Sequence, residues 1–113
     1  MTPAKFRELA LGLPEAVESA HMGHPDFRVG GRIFATLGYP DEQHAVVGLS
    51  PEEQRKLVET RPDIFGPAAG AWGRRGSTQV LLAKAREAEV RRGLAQAWRK
   101  VAPKKLLARM GAE

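Results

Sequence analysis

The sequence predicts an α+β domain in which an antiparallel, hairpin-based sheet is covered by helices, and three stretches carry that expectation. Gly23 to Gly38, GHPDFRVGGRIFATLG, places two runs rich in Phe, Val, Ile and Thr around Gly30-Gly31; adjacent glycines supply the positive φ angles of a tight primed turn. Ser50-Pro51-Glu52-Glu53 combines a hydroxyl N-cap, a proline in the first turn and a glutamate that completes a capping box. From Arg86 onward, Val90, Leu94, Ala97, Trp98 and Val101 fall within about 100° of one helix face, the width of a core-facing stripe. A lone hairpin is marginal in water, so this one must extend into a larger sheet under helical cover.

In chain order, Thr2-Pro3 opens a first helix that runs to about Leu11, with Phe6, Leu9, Ala10 and Leu13 as its apolar stripe and Gly12 and Pro14 as its stop. Ala16 to Met22 reads as a short strand or an extended lead-in. In the hairpin, a two-residue turn sets Val29 opposite Arg32 and Phe27 opposite Phe34, an aromatic pair worth roughly 0.2 to 1 kcal/mol over alanines. This is the expected register. A bulged three-residue loop would instead place Phe27 on one face with Ile33 and Leu37. Tyr39 to Gln43 is a polar turn and His44 to Leu49 the next strand of a meander. The helix from Ser50 presents Leu57 and Val58 inward and stops near Thr60, ahead of Pro62. Pro62 to Gly76 is rich in glycine and proline yet contains Ile64, Phe65 and Trp72, which predicts an ordered loop anchored on the domain with Trp72 as a core plug. Thr78 to Ala83 is a strand, the long helix follows with Arg91, Arg92 and Arg99 on its outer side, and Pro103 introduces a last helix, Lys104 to Met110. No repeat or boundary interrupts residues 1–113, which read as a single domain.

A chain of 113 residues is long enough to bury about two-thirds of the surface its unfolded form exposes. It has no cysteine, so disulfides and thiolate metal sites are excluded, and no stretch approaches the roughly 20 apolar residues that span a bilayer. A cytoplasmic location without membrane association is expected. The net charge of +5 is divided unevenly: residues 1–73 hold seven Lys/Arg against ten Asp/Glu, whereas residues 74–109 hold eleven Lys/Arg against Glu87 and Glu89 alone. A surface so basic concentrates polyanions and supports salt-sensitive nucleic-acid binding. The competing explanation is a helix face that is charged only to stay solvated.

Motifs of chemistry are sparse. Gly70, Gly73 and Gly76 invite comparison with a phosphate loop, but Arg75-Gly76-Ser77 stands where Gly-Lys-Ser/Thr is needed, and a strand follows instead of a helix. His21 and His24 with Asp26 could form a metal site only by folding together, because a spacing of three converges on a helix and not on a strand; surface or turn histidines are the expectation. There is no thiol, no Gly-x-Ser-x-Gly elbow and no evident Ser/His/Asp set. No enzyme, cofactor or metal is therefore expected. What remains is the basic set. Arg74, Arg75, Arg91, Arg92, Arg99, Lys100, Lys104 and Lys105, together with Arg109, are candidates to contact phosphates, and Arg28 and Arg32 flank the hairpin as a projecting wing. About five contacts on a duplex would give a salt slope of roughly −4 to −5. Nothing resembles a base-reading element, so low sequence specificity is expected, and Trp72 and Trp98 are assigned to the core. The alternative function is a non-enzymatic module that binds a protein or a small anionic ligand in the cleft between the sheet and the Pro62 to Gly76 loop. Basic residues gathered on one surface favour the first; a concave apolar pocket beside Trp72 favours the second.

Taken in order, Phe6 to Pro14 (FRELALGLP), Gly23 to Thr36 (GHPDFRVGGRIFAT), Leu49 to Glu53 (LSPEE), Trp72-Gly73 to Val80, and Ala97 to Leu106 (AWRKVAPKKL) resemble the MmcQ/YjbR-like proteins, small bacterial domains with a CyaY-like, or frataxin-like, fold. The resemblance implies an antiparallel sheet covered on one side by helices, a two-layer sandwich. It also implies DNA binding through two β wings, one of which corresponds to the hairpin with Arg28 and Arg32. Some members carry Asn-Lys followed by His-Trp before the last strand; this chain has GAWGRRGSTQV, so no role transfers there. The likeness to frataxin covers the fold alone: an iron-binding acidic ridge has no counterpart in a first helix that offers Glu8 beside Lys5 and Arg7.

Overall fold

The computed structural model describes residues 1–109. Helix α1 spans Pro3–Leu11, and its cap is the expected one: the Thr2 hydroxyl accepts the Lys5 backbone N–H at 3.0 Å. Four strands follow, β1 (Val17–His21), β2 (His24–Val29), β3 (Arg32–Leu37) and β4 (His44–Gly48). Helix α2 covers Pro51–Thr60, with both halves of the capping box formed between Ser50 and Glu53. The segment read as a loop contains a short strand, β5 (Phe65–Pro67), and a short helix, α3 (Gly70–Arg74). Strand β6 (Ser77–Leu81) and a single 3-10 turn lead into α4 (Glu87–Val101), and α5 occupies Lys104–Arg109. The predicted end of that helix, Met110, lies outside the described residues.

The strands form one antiparallel sheet in the order β1-β2-β3-β4-β6-β5. The meander holds through β4; β6 then pairs with β4, and β5 returns to the outer edge. All three longer helices pack on the same face: α4 against β3 and β4, α1 against α4 and β3, and α2 against β5 and β6. Between the layers lies one apolar cluster that includes Phe6, Phe27, Val47, Val80, Leu94 and Trp98. Trp98 is 3% exposed, and its indole N–H donates to the Pro14 carbonyl at 2.9 Å, which ties α4 to the segment between α1 and β1. Among the described residues, the other face of the sheet carries no helix of comparable length.

The hairpin register differs from expectation in one respect. The two-residue turn is present, with Val29 opposite Arg32 and positive φ at Gly30 (59°) and Gly31 (78°). One step further, the ladder shifts: Arg28 pairs with Ile33, but Phe27 pairs with Ala35, so Phe34 is the extra residue of a bulge. The predicted Phe27–Phe34 pair is therefore not formed, and neither is a shared face of Phe27 with Ile33. The bulge has a clear physical return. It buries both Phe34 and Ala35, and it frees Phe27 to meet Phe6 of α1 edge-on, with ring centroids 6.2 Å apart. Ile33 is left on the opposite, open face.

Trp72 also departs from its expected place. Ile64 and Phe65 anchor the segment in the core as predicted, whereas Trp72 is 68% exposed. Gly76 explains why the chain is so constrained here: its φ is 115°, and a Cβ would lie 1.9 Å from the Leu49 carbonyl oxygen. The buried Gln54 side chain completes the clamp by donating to the Gly73 and Ser77 carbonyls at 3.0 and 2.9 Å. Held at both ends, α3 displays Trp72 on the open side.

Candidate functional site

Two surfaces present candidate chemistry. The first is one end of the sheet, where β2 and β4 finish and β3 and β6 begin. The hairpin tip brings Arg32 there, and Pro103 packs directly against Gly30, which places Lys104 and Lys105 beside the tip. The last turn of α4 arrives at the same end: the Lys100 ammonium donates to the Leu49 carbonyl at 3.0 Å, and Gly76, next to Arg75, packs on that same carbonyl. Arg32, Arg74, Arg75, Arg99, Lys100, Lys104 and Lys105 are all exposed. The first turn of α2 contributes Glu52 and Glu53 nearby, the latter holding the cap.

The remaining predicted cations are drawn elsewhere. Arg91 pairs with Glu87 at 2.8 Å, about 13 Å along α4 from Lys100 at about 1.5 Å per residue. Arg92 lines a separate recess of about 340 Å³ between α2 and α4, beside Glu89, whose carboxylate takes Arg61 at 2.7 Å. Arg109 pairs with Glu15. Arg28 does not project as a wing; it lies on the open sheet face, bonded to Asp26.

That open face is the second surface. Alternation along β3, β4 and β6 puts Ile33, Thr36, Val46, Gly48 and Ser77 on its floor. Trp72 rises at one side, and Met22, Tyr39 and His21 rise at the other, enclosing a concave groove of about 460 Å³. Trp72 and Met22 stand 68% and 92% exposed, so the groove is walled by large apolar groups that water covers. The Arg75 guanidinium sits 5.9 Å from the centre of the Trp72 ring, within cation–π range.

At the His21 end lies a polar cluster that hairpin geometry assembles. Met22 and Gly23 take positive φ, 51° and 81°, and turn β1 back on β2 so that His21 faces His24 and Ser19 faces Asp26. Asp26 is completely buried on this otherwise open face. Arg28 Nε and Nη2 donate to its two oxygens at 2.8 and 3.0 Å, and His21 Nδ1 lies 2.7 Å from Oδ2. Above all, the Arg28 hydrogen bond holds the Asp26 carboxyl below its ordinary range; burial opposes this, and the His21 contact adds to it. An ionised carboxylate only accepts, so the proton of the His21 contact resides on Nδ1. Its other ring nitrogen, Nε2, is then the one available for outside chemistry. His24 does not join this cluster as a third ligand: its ring meets Tyr39 edge-on at 5.5 Å. Among the described residues, no three His, Asp or Glu side chains converge as a metal site would require, nor is any helix long and apolar enough to cross a membrane.

The sequence model of the YjbR family matches residues 11–100. The chain belongs to the YjbR family. The crystal structure of Deinococcus radiodurans protein DR2400, which has a DUF419 domain, superposes with a TM-score of 0.74 at 17% identity, over 99% of this chain and 89% of that one. This likeness establishes a shared fold. No curated protein matches. Of the ten cations singled out from the sequence, seven lie at the basic end of the YjbR fold and Arg28, Arg91 and Arg92 do not; sequence reasoning named a pocket beside Trp72 as the alternative but missed the His21, Asp26 and Arg28 cluster at its far end. The signal was present in Met22-Gly23, a dipeptide able to make a primed turn, which would have aligned His21 with the Asp26 and Arg28 alternation.

Proposed function

We propose that this YjbR-family protein binds DNA with low sequence specificity through the basic end of its sheet. The observation that carries the reading is the convergence there of Arg32, Arg74, Arg75, Arg99, Lys100, Lys104 and Lys105 from the hairpin, α3, α4 and α5. Phosphates are contacted by such a cluster through charge and hydrogen bonds that carry no base information. Of the predicted set, Arg28, Arg91 and Arg92 are left out of the interface, because Asp26 and Glu87 engage two of them and the third faces another recess.

The test is fluorescence anisotropy with a labelled duplex of about 20 base pairs across a salt series. Saturable binding is expected, with a log-log salt slope of roughly −4 to −5. Replacing Arg99, Lys104 and Lys105 by alanine removes three contacts and makes the slope shallower by about 2 to 3, while Arg91→Ala leaves it unchanged. Absence of binding at low salt, or an unaltered slope in the triple variant, overturns the reading. A second reading, a module for a small ligand, is favoured by a separate observation: the concave apolar groove beside Trp72.

A further inference from the structure

Building on that small-ligand reading, we infer that the open-face groove takes a flat one- or two-ring aromatic compound bearing a hydroxyl, which donates its hydrogen bond to His21 Nε2.

The dimensions suit such a ligand. The groove of about 460 Å³ lies within the roughly 300 to 1,000 Å³ of small-molecule sites. It crosses from β2 to β6, about 14 Å at strand spacings of about 4.8 Å, enough for a two-ring system and not for a folded partner. Its floor is shallow, since Gly48 has no side chain and Ser77 and Thr36 have short ones. Trp72 and Met22 stand on opposite sides of the groove. A planar ring between them would remove both from water and offer Trp72 a π partner.

The polar end selects the hydroxyl. Asp26 and Arg28 neutralise each other as an ion pair, so the pair brings no net charge to the His21 end of the groove; the Arg75 guanidinium lies at the other wall, against Trp72. The Asp26 carboxylate fixes a proton on His21 Nδ1, which makes Nε2 the acceptor when the ring carries a single proton. An acceptor at the rim of an apolar groove discriminates in favour of a ligand that donates, because a ligand lacking the donor would bury that nitrogen without a partner. A slightly acidic hydroxyl suits best: its proton can be shared with, or passed to, the imidazole, whose positive charge the Asp26 carboxylate then stabilises. A buried carboxylate is costly in a sheet that a Ser or Val could complete; holding His21 in one tautomer gives it a purpose.

The probe pair is 7-hydroxycoumarin and 7-methoxycoumarin, two-ring compounds that differ at the hydroxyl, titrated into the full chain labelled with 15N. The expected result is saturable shifts of the Trp72 indole N–H and of the Thr36, Val46 and Ser77 amides by 7-hydroxycoumarin, with the methoxy compound binding about tenfold more weakly. His21→Ala abolishes that preference, whereas Trp72→Ala weakens both compounds; the hydroxycoumarin excitation spectrum reports independently whether the hydroxyl proton has moved. Equal affinity of the two probes for the wild-type groove overturns the hydroxyl inference and leaves the small-ligand reading standing. Failure of both to shift the groove residues overturns the two together, and shifts confined to the recess between α2 and α4 do the same.

Discussion

The two tryptophans mark the difference between the two faces of the sheet. Trp98 lies on the helix-covered face, 3% exposed, packed in the core and hydrogen-bonded to the Pro14 carbonyl; Trp72 lies over the open face, 68% exposed, with a guanidinium against its ring. The buried carboxylate follows the same division in reverse: Asp26, completely buried, is on the open face. On the covered face, side chains are placed to exclude water from one another. On the open face, a buried carboxylate and exposed apolar walls border the same groove, an arrangement that stability alone does not require. Charged surfaces also divide, since the basic end belongs to neither face and runs along the strand ends.

The largest loss of stability is expected on the covered face. Trp98→Ala should cost about 3 to 5 kcal/mol, since it opens a cavity and strands the Pro14 carbonyl; urea unfolding followed by circular dichroism measures it. A loss below about 1 kcal/mol would contradict the packing described. Asp26→Ala comes next, at about 3 kcal/mol, because it removes the partner of Arg28 and the anchor of His21.

That carboxylate also has a pH signature. Its folded pKa is depressed below the ordinary 3.8, so the folded state binds the proton less readily than the unfolded chain. The stabilisation is therefore complete above the unfolded value and is lost as pH falls through the lower, folded one. Comparing urea midpoints at about pH 7 and about pH 3, Asp26→Asn should lose less stability than the wild type on acidification. Asp41, Asp63 and Glu87 are depressed as well, by His44, Arg61 and Arg91 respectively, so an acid limb persists in the variant. A limb as steep as that of the wild type would remove Asp26 from the acid response.

Smaller effects sharpen the contrast. Ser50→Ala removes the side-chain half of the α2 cap and should cost about 1 kcal/mol in the same denaturation assay. Trp72→Ala should change stability by no more than about 0.5 kcal/mol despite deleting the larger of all side chains at that surface. A large destabilisation there would mean that Trp72 supports the fold after all, and that the open face is less distinct from the covered one than its exposure indicates.

Much of this molecule is legible along the chain because the forces concerned are local. The Thr2 and Ser50 caps, the Gly30-Gly31 turn and the stripe from Val90 to Trp98 depend on residues three or four positions apart, and all are found where periodicity and capping place them. The identities of the basic residues were equally plain. Their grouping was not: whether Arg75 and Lys100 share a surface depends on the Leu49 carbonyl that Lys100 and Gly76, the residue after Arg75, both approach, and whether Arg28 is available depends on Asp26 beside it. The tertiary structure likewise decided the bulge at Phe34, because only the presence of Phe6 opposite the sheet makes the shifted ladder the better packing. It decided Trp72 for a related reason. An aromatic residue in a glycine-rich loop has no periodicity to give it a side, and the clamp of Gln54 and Gly76 that turns it to the open face is made by residues distant in sequence.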